Sequence, residues 1–310
     1  MNIPTDFIEK SFSAADFLAN CDEAFRLYGQ GLAIMPPREQ NLDSSGRFTL
    51  KMPASIPGYS GYKFIEELPS DSQGKLGQRT AIIKLQSNNG QEIEIDAEYI
   101  TNMRTGAAGA LGLKYFAPQV KSVALLGTGK ISKALALCAV ELGVSKINIY
   151  SRKPENREKF AAELSSLPVE IISCDSVESA ISEVEGILTA VPTPEPILFF
   201  KDLPAGVFIS AMGGDSRTTQ LDKEIMTNAV VIPDNEEQCK KSGEFKEALA
   251  EGYYQDINLA KVEDRTVNIG DASLGRIKLD SRIKVAYFTG LAVQDINAAK
   301  MVYEKYNKKS

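Results

Sequence analysis

The chain has 310 residues, enough for two domains, and carries a formal net charge of −6. A net negative chain lacks the basic surface that binds nucleic acid or acidic membranes, so we expect a small-molecule ligand and neither of those partners. The sequence has no histidine, which excludes His-ligated zinc, Ser-His or Cys-His nucleophiles and imidazole acid or base catalysis.

Signals for secretion, membrane insertion and metal binding are also missing from the sequence. No apolar run approaches the ~18 residues of a membrane span, and Met1 to Lys10 is too polar for a signal peptide. We therefore predict a cytoplasmic protein without a metal site. Four cysteines without C-x-x-C spacing are expected to be free thiols: Cys21, Cys138, Cys174 and Cys239.

The N-terminal part combines one amphipathic helix with a stretch rich in Pro, Gly and Ser. A capping pattern at Ser13 and Asp16 opens a helix that reaches Tyr28. Residues 31 to 72 are expected to be irregular. Two cations stand out in this stretch, Arg38 after two prolines and Lys63 within G-Y-K-F-I. From the residues alone, a solvated surface position is the favoured interpretation of each of them.

A hairpin and a second helix follow. The runs at residues 80–86 and 91–95 flank Ser-Asn-Asn-Gly, whose Asn and Gly tolerate positive φ and so predict a β-hairpin. The Ala- and Gly-rich segment at residues 100–116 predicts a helix that packs closely against another element and starts near Thr101. Arg104 and Thr105 then lie in its first turn, where a cation opposes the helix dipole, so we expect an anion nearby.

The segment from Val123 to Ser132 predicts a strand, a tight turn and the start of a helix. Four apolar residues precede Gly127 and Gly129, and helical spacing of apolar residues continues to Leu142. A helix start after such glycines aims free N–H groups at a pyrophosphate, which favours a dinucleotide ligand over a plain turn. Ser132 replaces the usual third glycine and is small enough for close helix packing.

Apolar runs then alternate with helical stretches, which predicts βαβ units and a doubly wound parallel sheet. The predicted strands lie at residues 146–150, 169–173, 186–191, 206–212 and 230–233, and the predicted helices lie near residues 155–164 and 176–184. A final helix is predicted from Leu291 to Tyr306, and it could return to the first domain.

The end of the second strand of this sheet bears on the choice of cofactor. An acid there holds the ribose 2′-hydroxyl in NAD enzymes. This chain has Ser151, Arg152 and Lys153 instead. The cations suit a 2′-phosphate, which favours NADP(H) over NAD(H), although a surface Arg at a helix start is the alternative.

Two loops after later strands are expected to line the ligand cleft, because ligands bind beyond the carboxyl ends of parallel strands. The first is the Pro-rich segment at residues 190–198, and the second runs from Met212 to Arg217. Asp215 follows two glycines in the second loop. It is a candidate acid or base, although Asp after Gly-Gly is common in ordinary turns.

Taken together, these motifs resemble those of the ornithine cyclodeaminase and mu-crystallin family. The resemblance covers nearly the whole chain, and I-T-N-M-R-T at residues 100–105 is its most specific motif. The other matching segments are P-R at Arg38, M-P at Met52, Lys63, G-T-G at residues 127–129, P-T-P-E-P-I-L at residues 192–198, G-G-D ending at Asp215, S-G-E at residues 242–244 and G-L-A-V-Q-D at residues 290–295.

The resemblance implies a homodimer with a Rossmann domain inserted in an α+β substrate domain. We predict residues 1–117 plus 291–310 as the substrate-binding and dimerisation domain and residues 118–290 as the NAD(P)-binding domain. The resemblance also implies that Arg38, Lys63 and Arg104 bind a substrate carboxylate, and that Asp215 donates or accepts protons at the reacting carbon.

This sequence departs from the family pattern at two places. Ornithine cyclodeaminases carry a Glu where this chain has Leu50, so a cationic substrate side chain would lack a partner there. The usual F-K-S is replaced by Ala286-Tyr287-Phe288, which puts contacts at that edge in doubt. Both departures argue against ornithine as the substrate.

Together with the glycine turn, the resemblance implies an NAD(P)H-dependent oxidoreductase of a small α-amino, α-imino or α-keto acid, with Asp215 and Lys63 as catalytic residues. Lys63 would also polarise the substrate. The alternatives are an ornithine cyclodeaminase and a non-catalytic, crystallin-like binding protein. The predicted cofactor-binding residues are Gly127, Thr128, Gly129, Lys130, Ile131, Ser151, Arg152, Val191, Pro192, Met212 and Gly290.

Overall fold

A computed structural model describes residues 1–69, 78–279 and 282–308. The chain forms two compact units: residues 1–104 with 291–310, and residues 105–290. The predicted domain limits assign all of the helix at Glu98–Phe116 (α3) to the first domain, whereas the compact units divide within that helix. Within the described ranges, no helix is both long and apolar enough to cross a bilayer.

The first unit is built on a six-stranded sheet with the order β1-β6-β5-β4-β3-β2. The pair of β1 and β6 is parallel, and the other pairs are antiparallel. The strands are β1 (Asn2–Ile3), β2 (Glu39–Leu42), β3 (Phe48–Ile56), β4 (Tyr59–Glu67), β5 (Arg79–Ser87) and β6 (Glu92–Asp96). The predicted hairpin is confirmed as β5 and β6, with Gly90 at φ 80°.

The expectation of irregular structure at residues 31–72 is wrong for most of that stretch, because it contains β2, β3 and β4. Met52, Ala54 and Ile56 are buried at every second position of β3. Pro53 and Ser55 occupy the positions between these buried residues, so the segment looks Pro- and Ser-rich and its strand pattern is not evident from the sequence. Residues 70–72 lie outside the described residues.

Helices α1 (Thr5–Ser11), α2 (Ala14–Gly29) and α11 (Ala292–Asn307) complete this unit. The predicted capping box is confirmed: Ser13 and Asp16 exchange hydrogen bonds at the start of α2. Helix α11 packs on α2 and on the sheet strands β3, β4 and β5. The Asn20 and Asn297 amides each donate to the other's backbone carbonyl, at 3.1 and 2.9 Å, and lock α2 to α11.

The second unit contains a seven-stranded parallel sheet with the order β12-β15-β11-β10-β7-β8-β9. Its strands are β7 (Ser122–Leu126), β8 (Lys146–Tyr150), β9 (Glu170–Ser173), β10 (Gly186–Thr189), β11 (Phe208–Met212), β12 (Val230–Pro233) and β15 (Lys284–Phe288); a small hairpin pairs β13 (Lys261–Val262) with β14 (Arg265–Thr266). The helices are α4 (Lys130–Glu141), α5 (Pro154–Leu164), α6 (Val177–Ile181), α7 (Lys223–Asn228), α8 (Glu236–Cys239), α9 (Gly243–Glu251) and α10 (Ile269–Ser273). This architecture confirms the predicted α/β class with a Rossmann-like parallel sheet.

Strand β15 was not predicted, yet it lies inside the sheet between β11 and β12. Its five residues carry one short apolar run, which periodicity cannot distinguish from a helix segment. A strand buried on both faces has no polar side to reveal it.

The strand order reverses next to β7. From β7 the chain proceeds outward through β8 and β9, and then returns to place β10 on the other side of β7. Loops leave in opposite directions at such a point and open a crevice at the carboxyl ends of the strands. The crevice beside β7 is therefore where the fold offers a nucleotide site.

The second half of α3, from Thr105 to Phe116, packs on α4 and on this sheet through glycines, as its composition predicts. A Cβ at Gly106 would lie 2.4 Å from the Ala134 backbone, and one at Gly112 would lie 2.8 Å from the Phe208 ring. Only glycine permits this approach. The helix begins at Glu98, so Arg104 lies in its second turn and not in the first.

Candidate active site

A buried cluster of opposite charges lies between the sheet and α11 in the first unit. The Lys63 ammonium lies 2.9 Å from Oδ1 and 2.8 Å from Oδ2 of Asp295. Arg104 Nε donates to the same Oδ1 at 3.0 Å. Lys63 is 1% exposed, Arg104 is 6% exposed and Asp295 is 0% exposed, so solvent screens these charges little.

Register and helix position explain how Lys63 and Asp295 meet. Lys63 on β4 pairs with Met52 on β3 and with Ile83 on β5, and directly paired residues share one sheet face. Both neighbours are buried. Helix α11 packs on that same face and presents Asp295 from its first turn. The ammonium is thus buried among apolar side chains with a carboxylate above it.

The cluster changes the protonation of Lys63. Burial, followed by the charge of Arg104, lowers the pKa of Lys63 from its ordinary value of 10.5 to about 7, although Asp295 acts in the opposite direction. The charge of Arg38 adds to the lowering. The pKa of the Asp295 carboxyl is lowered because Arg104 and Lys63 outweigh the effect of its burial. Asp295 is therefore ionised, and the cluster favours a further negative charge.

Arg38 is the half-buried residue directly before β2. Glu39 pairs with Lys51 and Gln40 pairs with Leu50, so continuing the register places Arg38 alongside Met52. Met52 in turn pairs with Lys63. The sheet therefore brings Arg38 near Lys63, on which it acts electrostatically. Arg104 reaches the same cluster from α3 through Asp295.

Asp295 was missed as a functional residue, although G-L-A-V-Q-D was recognised as a motif. Its signal lies in helical spacing: Leu291, Ala298, Ala299 and Val302 share its face of α11, and all four are buried. An acid on an otherwise apolar face requires a buried cation, and Lys63 and Arg104 fill this role. The anion expected near Arg104 is thus supplied by the chain itself.

The glycine turn of the second unit fits a pyrophosphate. Gly127 has φ 105°, and a Cβ there would lie 2.8 Å from the Ala190 carbonyl oxygen. Gly129 is the N-cap of α4, and a Cβ there would meet no heavy atom within 4 Å. The buried Ser132 hydroxyl has no hydrogen-bond partner in the described structure. The start of α4 therefore lies at this turn, in the arrangement in which helix N-termini bind phosphate, and the Ser132 hydroxyl lies beside Gly127.

The other predicted cofactor residues lie at the same edge of the sheet, where five parallel strands end. Thr128 lies in the glycine turn, and Lys130 and Ile131 open α4. Ser151 and Arg152 follow β8, Val191 and Pro192 follow β10, Met212 ends β11, and Gly290 follows β15 at φ 81°. Arg152 is exposed. The Arg157 guanidinium donates to the Ser151 carbonyl at 2.8 Å and so fixes this turn.

Asp215 lies in the loop after β11, at the carboxyl edge predicted for it. The Arg217 side chain donates two hydrogen bonds to its carboxylate, at 2.9 and 2.7 Å, and the Arg217 backbone N–H donates a third at 2.9 Å. These hydrogen bonds lower the pKa of the Asp215 carboxyl. The group is therefore an ionised base and not a ready proton donor.

Comparison with known sequences identifies the family. The profile of the ornithine cyclodeaminase/mu-crystallin family matches residues 3–310. The chain belongs to this family. Its relatives include the alanine dehydrogenase of Archaeoglobus fulgidus, which is 31% identical over 306 residues, covering 96% of this chain and 92% of that protein. The ketimine reductase mu-crystallin of Macropus fuliginosus is 28% identical over 283 residues, covering 89% of this chain and 81% of that protein.

The fold agrees with this membership of the ornithine cyclodeaminase/mu-crystallin family. A solved structure of an archaeal alanine dehydrogenase dimer with bound NAD superposes with a TM-score of 0.89 and 25% identity. The match covers 100% of this chain and 96% of that chain. The family resemblance of the sequence motifs is confirmed.

The two departures from the family pattern have definite surroundings. Leu50 pairs with Gln40 and Ile65, and its sheet face is the face of Lys63. Tyr287 is buried near the end of β15, and its hydroxyl donates to the carboxylate of Glu244 in the S-G-E motif. Tyr287, which stands at the position of the family's lysine, thus bonds to the acid of that motif.

Proposed function

We propose that this chain is an NAD(P)H-dependent oxidoreductase acting on a small α-amino, α-imino or α-keto acid. The observation that carries the proposal is the buried Lys63–Asp295–Arg104 cluster, with Arg38 acting on the same ammonium. When bound, a nicotinamide ring supplies or accepts the hydride at the substrate Cα. The NAD in the archaeal alanine dehydrogenase structure supports this choice of cofactor class.

Three cations close to one carboxylate suit the binding of a second carboxylate. Arg104 and Lys63 share Asp295, and burial together with Arg38 and Arg104 outweighs the stabilisation that Asp295 gives to the Lys63 ammonium. An arriving substrate carboxylate restores the balance of charge. The guanidinium groups donate in a planar fork, which fixes the direction of a bound carboxylate as well as its position. Fixed orientation is the main contribution that binding residues make to hydride transfer.

The two predicted catalytic residues suit different proton transfers. With a pKa of about 7, Lys63 can both donate and accept a proton near neutral pH. Asp215, held ionised by Arg217, can accept a proton but seldom carries one. We therefore assign the donation of a proton during reduction to Lys63, and the acceptance of one from water or a substrate nitrogen to Asp215.

NADP(H) is the proposed cofactor, in preference to NAD(H). The strand β8 ends at Tyr150, and the exposed Arg152 and Lys153 follow at the position where NAD enzymes carry an acid. A guanidinium binds a phosphate through two parallel hydrogen bonds, whereas a ribose hydroxyl gives it no charge to pair with.

We further propose a cytoplasmic homodimer. The four cysteines are free and buried, as suits a reducing compartment. The archaeal alanine dehydrogenase was solved as a dimer. Sedimentation equilibrium of the purified protein would give twice the 33.8 kDa chain mass if the proposal is correct.

The deciding experiment follows cofactor absorbance at 340 nm while NADPH or NADH is offered with cyclic ketimines, or with α-keto acids and ammonia. Ornithine conversion is assayed in parallel. Net oxidation of cofactor with an imino or keto acid supports the reductase. Proline formed from ornithine without net change in cofactor would show a cyclodeaminase instead. Ligand binding without any turnover would favour a crystallin-like binding protein.

A further inference from the structure

A buried glutamine in the second unit connects the loops at the carboxyl ends of β10 and β11. Gln220 is 1% exposed. Its Oε1 accepts from the Val191 backbone N–H at 2.9 Å and from the Thr189 hydroxyl at 2.8 Å. Its Nε2 donates to the Met212 carbonyl at 2.9 Å. One side chain thus fixes the backbone of two loops that follow adjacent strands.

Gln220 is itself held rigidly. The buried Glu244 carboxylate accepts the backbone N–H groups of Gln220 and Leu221 through one oxygen, at 2.7 and 3.0 Å. Its other oxygen bonds to the hydroxyl of Tyr287, which also lies 3.3 Å from the Gly213 carbonyl oxygen. A network of buried hydrogen bonds therefore connects Tyr287 on β15, through Glu244 and Gln220, to both loops. Buried polar networks of this kind, fully satisfied, hold one backbone conformation.

The position of these loops relates them to one half of a dinucleotide. The proposed pyrophosphate site lies at the Gly127 turn after β7, and the proposed 2′-phosphate site, at Arg152, follows β8 on one side. The strands β10 and β11 lie on the other side of β7. A dinucleotide whose adenosine half extends toward β8 must extend its nicotinamide half toward β10 and β11.

We propose that Gln220 is a positioning residue for the nicotinamide half of the cofactor. Its amide sets the backbone at Val191 and Met212, so the loops present one fixed surface to that half of the ligand. This inference rests on the proposed function, because it requires a nicotinamide dinucleotide. It predicts that loss of the amide weakens binding of the whole dinucleotide but spares fragments that lack nicotinamide.

The test compares two ligands by calorimetric titration, without turnover. The probes are NADPH and 2′-phospho-ADP-ribose, with NADH and ADP-ribose as the second pair. In Gln220→Met the Kd of each reduced dinucleotide should rise about tenfold, whereas the Kd of each ADP-ribose fragment should change less than twofold. Thr189→Val removes only one of the bonds to Gln220 and should give a smaller change in the same direction, which keeps the test available if Gln220→Met does not fold.

Asn148→Leu is the matched control. Asn148 is a buried amide in the same sheet, and its Nδ2 donates to the Ala180 carbonyl at 2.9 Å, away from the strand ends. It should leave the ratio of the two Kd values unchanged. Equal weakening of both ligands in the Gln220 variant, or no weakening, would overturn the positioning role. A wild-type protein that binds neither ligand would instead overturn the proposed cofactor, and the inference with it.

Discussion

The Lys63 ammonium and the Asp295 carboxylate, 232 residues apart in the chain, meet at 2.8 Å with both side chains buried. The strand β4 supplies the cation, and the first turn of α11 supplies the anion. Removing either charge leaves the other unbalanced in a region of low dielectric. The pair therefore links the closing helix of the unit to the residues proposed to bind substrate.

Asp295→Asn should lower the free energy of unfolding by about 3–5 kcal/mol, the usual cost of breaking a buried ion pair. The variant leaves Lys63 and Arg104 facing each other without their anion. Urea unfolding followed by circular dichroism measures the change. Glu163→Gln, which breaks the exposed pair with Lys133, is the control and should have a far smaller effect, because solvent screens that pair. Equal effects in the two variants would show that Asp295 is not holding the cations.

Stability should rise with pH between about 7 and 10.5 because of Lys63. In the folded chain its pKa is about 7, whereas the unfolded side chain keeps its proton to the ordinary 10.5. The unfolded state thus binds more protons in this interval, so raising the pH favours the folded state by at most about 1.4 kcal/mol per pH unit. Below pH 7 both states are protonated and this gain is absent.

The measurement for Lys63 is denaturant unfolding from pH 7 to 9.5 in the wild type and in Lys63→Met, which retains the hydrocarbon stem. The difference in the free energy of unfolding should grow with pH in favour of the wild type. Lys10→Met, at an exposed pair with Asp6, is the matched substitution outside the cluster and should not reproduce this growth. A flat difference for Lys63 as well would mean that its pKa is not lowered.

The features that could be predicted from the sequence are those determined by residues close together in the chain. The capping box of Ser13 and the strand, turn and helix around Gly127 depend on neighbours in the chain, and both were predicted. The pairing of Lys63 with Asp295 depends on which sheet face α11 covers, and no local pattern carries that information. Gln220 likewise has an ordinary loop sequence around it, and its role appears only once β10 and β11 are neighbours.

Arg38→Met should raise the KM for the substrate about 10- to 100-fold with a smaller effect on kcat, because a hydrogen bond between charged groups is worth about 1.5–3 kcal/mol. Initial rates over a range of substrate concentration, at saturating cofactor, measure the split. Arg47→Met removes an exposed cation paired with Glu66 on the same sheet and should leave KM unchanged. A KM that does not move in Arg38→Met would exclude this arginine from carboxylate binding.

Arg152→Glu should shift the cofactor preference from NADPH toward NADH by at least about tenfold in kcat/KM, since a carboxylate repels a 2′-phosphate and accepts from a ribose hydroxyl. The ratio of kcat/KM for the two cofactors is the quantity to measure. Lys159→Glu, an exposed reversal on α5, makes the same change in net charge and should preserve the ratio. If both variants shift the ratio equally, the effect is one of net charge and the phosphate site lies elsewhere.

Leu50→Glu should improve the use of substrates with a cationic side chain. Leu50 lies on the sheet face of Lys63, beside Ile65 and Gln40, so a side chain attached to a bound α-carbon has only uncharged cross-strand neighbours there. A carboxylate at this position would pair with a distal ammonium. The kcat/KM for a diamino substrate, relative to that for a neutral aliphatic one, should rise about tenfold or more.

Two control variants separate the effect of the charge from that of its position. Leu50→Gln adds polarity without charge, and Thr49→Glu places the charge on the opposite face of β3, so neither should reproduce the change. An unchanged ratio in Leu50→Glu would mean that the substrate side chain points away from β3, and the argument against ornithine would lose its structural basis.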